Sequence, residues 1–211
     1  MEAKIIKGLA QIGYAMITED EDRRFTYGAV KQFPGSRAVT LQAQGDALQV
    51  YGDSTLYYSD NANNGYSGTL TAVMATDNIL KDWFNEVEDS QNGLLLEYAS
   101  APSSRFALVV RFLDDANGTV FIFYNCTANR APIGGQTKEA SFSPQYQDFA
   151  IVCAPRPQDD LVRAKTTANT SEELRAVLFE RILEPGSINN GETGSGDYPG
   201  NPTAPDDEYL G

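Results

Sequence analysis

The sequence predicts a mainly β (α+β) fold, a β-sandwich or small barrel with two flanking helices. About nine short β-like runs are separated by turn residues at the spacing typical of sandwiches and barrels. At two places the apolar period changes from two to 3.6 residues, which indicates a helix. With 211 residues, of which 41% are hydrophobic, the chain can bury a substantial core.

Residues 105–130 (RFALVVRFLDDANGTVFIFYNCTANR) form the centre of the predicted sheet. Asn117-Gly118 lies between two apolar runs, which is a strong signal for a β-hairpin. One face of each run is apolar: Phe106, Leu108, Val110 and Phe112 in the first, and Val120, Ile122, Tyr124 and Cys126 in the second. The opposite face is apolar too: Ala107, Val109, Phe121 and Phe123. We therefore expect a cover on both faces, supplied on the outer one by a second sheet, a helix or another subunit.

Further strands are predicted on both sides of the hairpin. An N-terminal arm of about a dozen residues precedes strands at 12–18, 38–42, 47–51, 54–59 and 68–75. A strand at 93–99 precedes the hairpin, and strands at 137–143 and 146–153 follow it. Pro155 and Pro157 then end the sheet.

The first predicted helix covers about residues 77–87. Thr76-Asp77 can cap it, and its apolar stripe is Ile79, Leu80, Trp83, Phe84 and Val87. We expect Ile79, Leu80, Trp83 and Phe84 to pack on the sheet as part of the core. The acidic residues that follow would oppose the dipole at the end of this helix.

The second predicted helix covers about residues 171–183. The sequence Thr170-Ser171-Glu172-Glu173 is a capping box, and Leu174, Val177, Leu178 and Ile182 form the stripe. After it the composition changes abruptly to Gly, Pro, Asn, Ser and acidic residues. We therefore divide the chain into a β-domain at 1–183 and an acidic tail at 184–211 that lacks the composition to bury a core.

Charge and composition exclude several classes of function. The net charge is −13, and −6 of it lies in residues 184–211, which leaves −7 on the domain. Such a balance disfavours affinity for nucleic acid or anionic lipid. No apolar run approaches the roughly 18 residues of a membrane span, and the N-terminal residues lack the pattern of a signal peptide. We expect a soluble intracellular product.

The sequence offers no catalytic or metal-binding constellation. It contains no histidine, which removes the commonest general base and metal ligand. The acidic pairs Asp114-Asp115 and Asp159-Asp160 lie beside turns, where carboxylates usually cap a turn or are solvated. Residues 60–65 (DNANNG) resemble the start of a calcium loop, but Ala62 and Thr71 occupy ligand positions. We expect no enzyme, no metal and no cofactor.

The two cysteines, Cys126 and Cys153, lie in apolar strand-like runs. Free cysteine is among the most buried residue types, so buried free thiols are the favoured interpretation. The sequence does not decide between free thiols and a disulfide.

An ordered set of segments resembles the major tail protein family of long-tailed, siphovirus-type bacteriophages, the family that builds the tail tube. The segments are 8–20 (GLAQIGYAMITED), Tyr27-Gly28, Pro34-Gly35, 63–70 (NNGYSGTL), 105–112, 120–130 (VFIFYNCTANR), 154–156 and Lys165-Thr166-Thr167. They follow the family order over residues 1–183. The acidic tail is a departure from the family pattern.

The resemblance implies a tail-tube-type β-sandwich whose copies form hexameric rings that stack into a hollow tube in the virion. Partners would be identical copies, the tape-measure protein, and tail terminator and distal tail proteins. DNA would pass through an acidic lumen without tight binding. We expect the loop at 52–66 to reach the adjacent ring through these residues: Asp53, Tyr57, Tyr58, Asn63, Asn64 and Tyr66.

Two other functions remain open on the sequence. A carbohydrate- or host-binding β-sandwich module of a virion would show an aromatic or metal-bearing pocket and would remain a monomer or trimer. A hydrolase is the third alternative and lacks a recognisable set of catalytic residues.

Deleting residues 187–211 should leave the folded domain intact, because these residues add no apolar surface to the core. We expect the melting temperature of the monomer to change by less than about 2 °C, measured by circular dichroism. A large fall would show that the tail contributes to the fold.

Overall fold

The computed structural model describes residues 4–45, 47–52, 55–137 and 144–186. These residues contain thirteen strands and two helices. Their bounds in chain order are β1 Ile6–Glu19, β2 Phe25–Tyr27, β3 Lys31–Gln32, β4 Ser36–Ala43, β5 Ala47–Gly52, β6 Thr55–Asn61, β7 Tyr66–Ala72, α1 Asp77–Phe84, β8 Val87–Asp89, β9 Leu94–Leu96, β10 Phe106–Asp114, β11 Thr119–Ala128, β12 Gln147–Cys153, β13 Arg163–Lys165 and α2 Glu172–Val177. The predicted mainly β class with two helices is confirmed.

Nine of the strands form one antiparallel sheet. Its main order is β2-β1-β10-β11-β12-β7-β4, while β13 pairs with β11 and β3 pairs with β1. Strands β5 and β6 form a separate two-stranded ribbon, and so do β8 and β9. The β10–β11 hairpin therefore occupies the middle of the large sheet, as the sequence predicts.

The turn of the β10–β11 hairpin is organised by one carboxylate. Asp114 Oδ1 accepts hydrogen bonds from the backbone N–H groups of Ala116 and Gly118, both at 2.9 Å. The hydroxyl of Thr119 donates to Asp114 Oδ2 at 2.7 Å. Gly118 has a φ of 80°, a left-handed conformation that glycine adopts at little cost. These bonds explain why an Asp-rich, Asn-Gly sequence closes this hairpin.

One face of the hairpin packs against α1 in what we call the Trp83 cluster. Its largest members are these buried residues: Ile12, Tyr14, Phe33, Leu70, Ile79, Trp83, Phe84, Phe106, Leu108, Val110, Phe123, Phe149 and Ile151. The Trp83 ring stacks on Phe106 with centroids 4.2 Å apart, and it meets Tyr14 edge-on at 5.5 Å. Leu80 is partly buried against the same cluster. The helix thus places its one indole at the centre of the core.

The opposite face of the hairpin is covered by the C-terminal segment of the same chain. Leu178 and Ile182 pack there against Ala107, Val109, Val120, Ile122 and Tyr124, a group that we call the α2 cluster. Val109 and Val120 have no exposed surface within this single chain. The cover is thus neither a second sheet nor another subunit, but the segment of the same chain that follows α2. Another subunit is therefore not needed to cover this face of the hairpin.

A β-bulge changes which face Cys126 occupies. Leu108 pairs with Phe123, but Phe106 pairs with Cys126, so β11 carries one extra residue between the two pairs. Cys126 consequently joins Phe123 in the Trp83 cluster instead of Tyr124 in the α2 cluster. The strict alternation predicted for 120–126 is wrong beyond Tyr124 for this reason.

The first helix is shorter than the predicted range of 77–87. It ends at Phe84, where Asn85 adopts a left-handed conformation (φ 54°) and its N–H bonds the Lys81 carbonyl. Val87 lies in β8 and is 53% exposed, so it is not part of the core stripe. The acidic residues after Phe84 lie outside the helix, which removes the expected conflict with its dipole.

The second helix is also shorter than the predicted range of 171–183. Ser171 caps it by accepting a hydrogen bond from the Leu174 N–H at 3.2 Å, and the regular helix ends at Val177. Tight turns follow, in which the N–H of Phe179 bonds Ala176 and that of Glu180 bonds Val177. Arg181 then forms a β-bridge with Ala29. The helix-like spacing of the apolar residues does not reveal that the chain changes here from helix to a β-bridge.

Other strand bounds differ by a few residues. β1 begins at Ile6, so much of the predicted arm belongs to the sheet, and two register shifts accommodate it along β10. Its start is fixed by Asp115, which accepts hydrogen bonds from the N–H groups of Lys4 and Ile5. The predicted strand at 137–143 falls, apart from Thr137, outside the described residues.

Replacing Trp83 with alanine should reduce the free energy of unfolding by about 3–5 kcal/mol, because it leaves a cavity where five aromatic rings meet. Urea unfolding followed by circular dichroism measures the change. Tyr57→Ala is the matched control, since Tyr57 is 87% exposed and its loss should cost less than about 0.5 kcal/mol. Equal losses in the two variants would contradict this account of the core.

Candidate interaction surface

The β5–β6 ribbon leaves the large sheet between β4 and β7. Its base is tied by two backbone hydrogen bonds, from Gln44 N–H to the Gly65 carbonyl and from Asn64 N–H to the Gln44 carbonyl, both 2.8 Å long. The ribbon's own register pairs Ala47 with Asn61 and Gly52 with Thr55. The ribbon is thus fixed at its base and paired with itself.

The residues predicted as an interface occupy three different places. Tyr57 projects from β6 and is 87% exposed, and Asn63 and Asn64 are exposed beside the ribbon's base. Tyr66 begins β7 and is half-buried; its ring meets Phe123 edge-on at 5.4 Å. Asp53 and the side chain of Tyr58 lie outside the described part of the structure. The role of these residues as an interface stays a prediction.

Tyr66 lines an apolar groove of about 350 Å³ that the sequence analysis did not predict. Val39 and Leu41 of β4 form one side, and Phe112 and Phe121 lie on the side of the hairpin. Arg163 of β13 completes it: Nε donates to the Tyr66 hydroxyl at 2.8 Å, and the guanidinium lies over the rings of Tyr66 and Phe121. The groove thus combines aromatic rings with one cation.

A second concave site, of about 310 Å³, lies beside the hairpin turn and is polar. Arg175 projects into it from α2 and is only 4% exposed. Its guanidinium donates to the carbonyls of Gly118, Thr167 and Thr170. Because backbone oxygens engage all of these donors, the site ties α2 to the turn and to the segment after β13.

The third polar feature is a cluster around Arg156, which is 3% exposed. Asp159 binds it through both carboxylate oxygens, at 2.6 and 2.7 Å, and Glu184 binds Nη1 at 2.6 Å. The Tyr124 ring lies 5.0 Å from the guanidinium carbon. Glu184, the first residue of the predicted tail, is thereby joined to the loop after β12. No local sequence pattern predicts this contact, because the partners are 28 residues apart.

The electrostatics of the Arg156 cluster follow from its burial. The hydrogen bond from Arg156 lowers the pKa of Asp159. Burial raises the pKa of Tyr27 and that of Tyr124 to about 12 each. Burial would lower the pKa of Arg156, but its bonds to Asp159, Tyr27 and Glu184 outweigh that effect and raise it. The cluster is therefore a structural ion pair that stays charged at neutral pH.

One carboxylate of each acidic pair considered for catalysis has a structural role. Asp114 caps the hairpin turn, and its pKa is lowered, chiefly by the hydrogen bond from Thr119. Asp159 neutralises Arg156. Within the described ranges no three His, Cys, Asp or Glu residues are placed to hold a metal ion. Neither described helix has the length and apolar character needed to cross a membrane.

The chain matches no protein-family model, and no curated protein is similar to it in sequence. Among solved structures, it is similar to the tube-terminating cap of the anti-feeding prophage, determined by cryo-electron microscopy. The identity is 12%, the TM-score is 0.39, and the match covers 74% of this chain and 88% of that chain.

Asp159→Asn should reduce the free energy of unfolding at pH 7 by about 1–3 kcal/mol, because it removes a charged partner from buried Arg156. The folded-state pKa of Asp159 is lowered, so its stabilising effect is present above the unfolded pKa, about 3.9. It is lost as the pH falls through the folded value. The gap between variant and wild type should therefore close below about pH 4.

Asp160→Asn provides the control for that measurement. Asp160 is exposed and has a φ of 56°, a conformation that asparagine tolerates well. Urea unfolding at several pH values should place this variant within about 0.5 kcal/mol of wild type. A deficit in Asp159→Asn that is independent of pH would contradict the ion-pair explanation.

Proposed function

We propose that this chain is a structural protein of a bacteriophage tail, the subunit of the tail tube. Identical copies form six-membered rings, and the rings stack into a conduit for the genome within the virion. The proposal rests first on the ordered resemblance of residues 1–183 to the major tail protein family. It assigns the chain no catalytic activity and no cofactor. Its partners are further copies, the tape-measure protein, and the tail terminator and distal tail proteins.

The structural observation that supports this function best is the edge strand β4. It has eight residues and pairs with β7, and it is the last strand in the order of the nine-stranded sheet as described. A strand of this length whose second edge has no strand partner among the described residues is a template for another chain. The β5–β6 ribbon follows it directly in the sequence. Both features suit a subunit that joins copies of itself.

The charge of the chain suits a conduit. A net charge of −13 repels the phosphates of DNA, so nucleic acid that enters a channel of such subunits finds no site to bind. Passage without binding is what a tube requires, whereas a nucleic-acid-binding protein requires the opposite charge.

The apolar groove favours the alternative function, a carbohydrate- or host-binding module of a virion. Rings of Tyr66, Phe112 and Phe121 line it together with Arg163, and aromatic faces with a few polar groups are typical of ligand sites. A module of this kind would bind a glycan while remaining a monomer or trimer. Glycan-array binding that is lost in Phe121→Ala, without any assembly, would support this alternative.

The purified chain should assemble into hollow tubes or six-fold rings visible by negative-stain electron microscopy. Thr40→Asp should reduce the assembled fraction at equal concentration by about tenfold or more. Position 40 is in the edge strand, so the new carboxylate would lie beside the side chains of a strand added by another copy. We expect a cost on the order of 1 kcal/mol at each junction, and junctions multiply along a tube.

Thr69→Asp is the matched control, because Thr69 is the cross-strand partner of Thr40 but lies in β7, between β4 and β12. It should assemble nearly as well as wild type, and both variants should keep the same melting temperature within a few degrees. A wild-type chain that remains a monomer at high concentration would contradict the proposed function. If both variants assembled equally well, the proposed role of the β4 edge would be wrong, but the proposed function would not be contradicted.

A further inference from the structure

The two cysteines of the chain face each other across neighbouring strands. Cys126 of β11 and Cys153 of β12 are direct partners in the antiparallel register. Their sulfur atoms are 3.0 Å apart, and the structure contains both as free thiols. Direct partners in an antiparallel pair have Cα atoms about 4.5–5.5 Å apart, which is within the range that a disulfide spans. A disulfide between the two cysteines therefore requires no change in the register of β11 and β12.

The cysteine pair lies where β11 changes its partner strand, so a disulfide there would link β11 to β12. The edge of β11 is shared: residues 121–123 pair with β13, and residues 126–128 pair with β12. Cys126 is the first residue of the β12 pairing, directly after the bulge. On the other side of β12, Cys153 is also the partner of Tyr66 in β7. The cysteines thus sit where the sheet divides, between the hairpin and the strands that lead to the β4 edge.

We propose that Cys126 and Cys153 are a site of oxidative modification that forms a cross-strand disulfide and fixes β12 to β11. The oxidant is a small-molecule disulfide such as oxidised glutathione. One protein thiolate attacks it and releases one glutathione thiolate, and the second protein thiolate then displaces the second glutathione. Two protein thiols and one glutathione disulfide give one protein disulfide and two glutathione thiols, with both protons passing to the released thiolates.

The native state controls how fast this reaction occurs. Both cysteines have no exposed surface. Burial raises the pKa of the Cys126 thiol, and its hydrogen bond with Cys153 adds to this shift. A buried, protonated thiol reacts slowly, because the thiolate is the nucleophile. Oxidation therefore proceeds through local opening of the β11–β12 pair or during folding, before the sheet closes.

The test measures thiol content and stability of the full chain after two treatments with oxidised glutathione. In one, the reduced native protein is incubated directly; in the other, it is unfolded in urea and refolded in the same buffer, which removes the barrier of burial. Denaturing alkylation followed by mass spectrometry counts the free thiols. We expect the refolded sample to take up no alkyl group, and peptide mapping to join Cys126 to Cys153. The native sample should reach the same state more slowly.

The disulfide closes a loop of about 27 residues, so the oxidised protein should melt on the order of 10 °C higher than the reduced one. Cys126→Ala and Cys153→Ala should each show no difference between oxidising and reducing buffers. Two alkylated cysteines, glutathione adducts or disulfide-linked dimers in the refolded wild-type sample would overturn the proposal. The mass of the alkylated wild-type protein tests the proposal even if an alanine variant fails to fold. The outcome is independent of the proposed function.

Discussion

The constraint on which the structure depends is that the β10–β11 hairpin is apolar on both faces. Such a pair is stable only between two covers, because neither face can meet water. The chain supplies one cover through α1 and the other through the segment after α2. Polar contacts fix the second cover to the hairpin itself: Arg111 pairs with Glu172 at 2.9 Å, and Arg175 donates to the Gly118 carbonyl. The two strands of the hairpin therefore fix the positions of both α1, which precedes them in the chain, and the segment after α2, which follows them.

Much of this arrangement can be predicted from the sequence, because it depends on local signals. The Asn117-Gly118 turn identifies the hairpin, and the spacing of Ile79, Leu80, Trp83 and Phe84 identifies α1. The remainder depends on tertiary contacts. The bulge after Phe123 changes the face of Cys126, and Asn85 ends α1 before Val87. Residues 178–182 resemble helix in their spacing but close with tight turns. A local pattern contains no information about such choices, since competing backbone geometries keep the same apolar spacing.

The candidate site was harder to predict than the fold for a related reason. Loop composition does not distinguish a packed residue from an exposed one: Tyr66 packs beside Phe123, while Tyr57 projects outward. The Arg156 cluster, the Arg175 site and the groove at Arg163 all join residues far apart in sequence. Their cations are Arg156 in the loop after β12, Arg163 in β13 and Arg175 in α2. An arginine in a loop between strands gives no sign in the sequence that it will be buried against two carboxylates.

These packing arrangements limit where copies of the chain could join in the proposed tube. Since both faces of the hairpin are closed within one chain, we expect contacts between copies at strand edges and at the β5–β6 ribbon. An acidic subunit cannot rely on ion pairs for this purpose, because many of its cations are already used internally. Ion pairs within the described residues engage the following: Arg23, Lys31, Lys81, Arg105, Arg111, Arg130, Arg156 and Arg175.

Backbone hydrogen bonds at a strand edge carry no net charge, so they can hold acidic subunits together where salt bridges cannot. They also leave the surplus carboxylates free of partners across the junction. In the proposed tube, the same surplus that repels DNA also opposes the approach of the next subunit. Joining through the β4 edge would allow both effects. The main-chain hydrogen bonds would supply the attraction between subunits, and the side-chain carboxylates would still repel DNA.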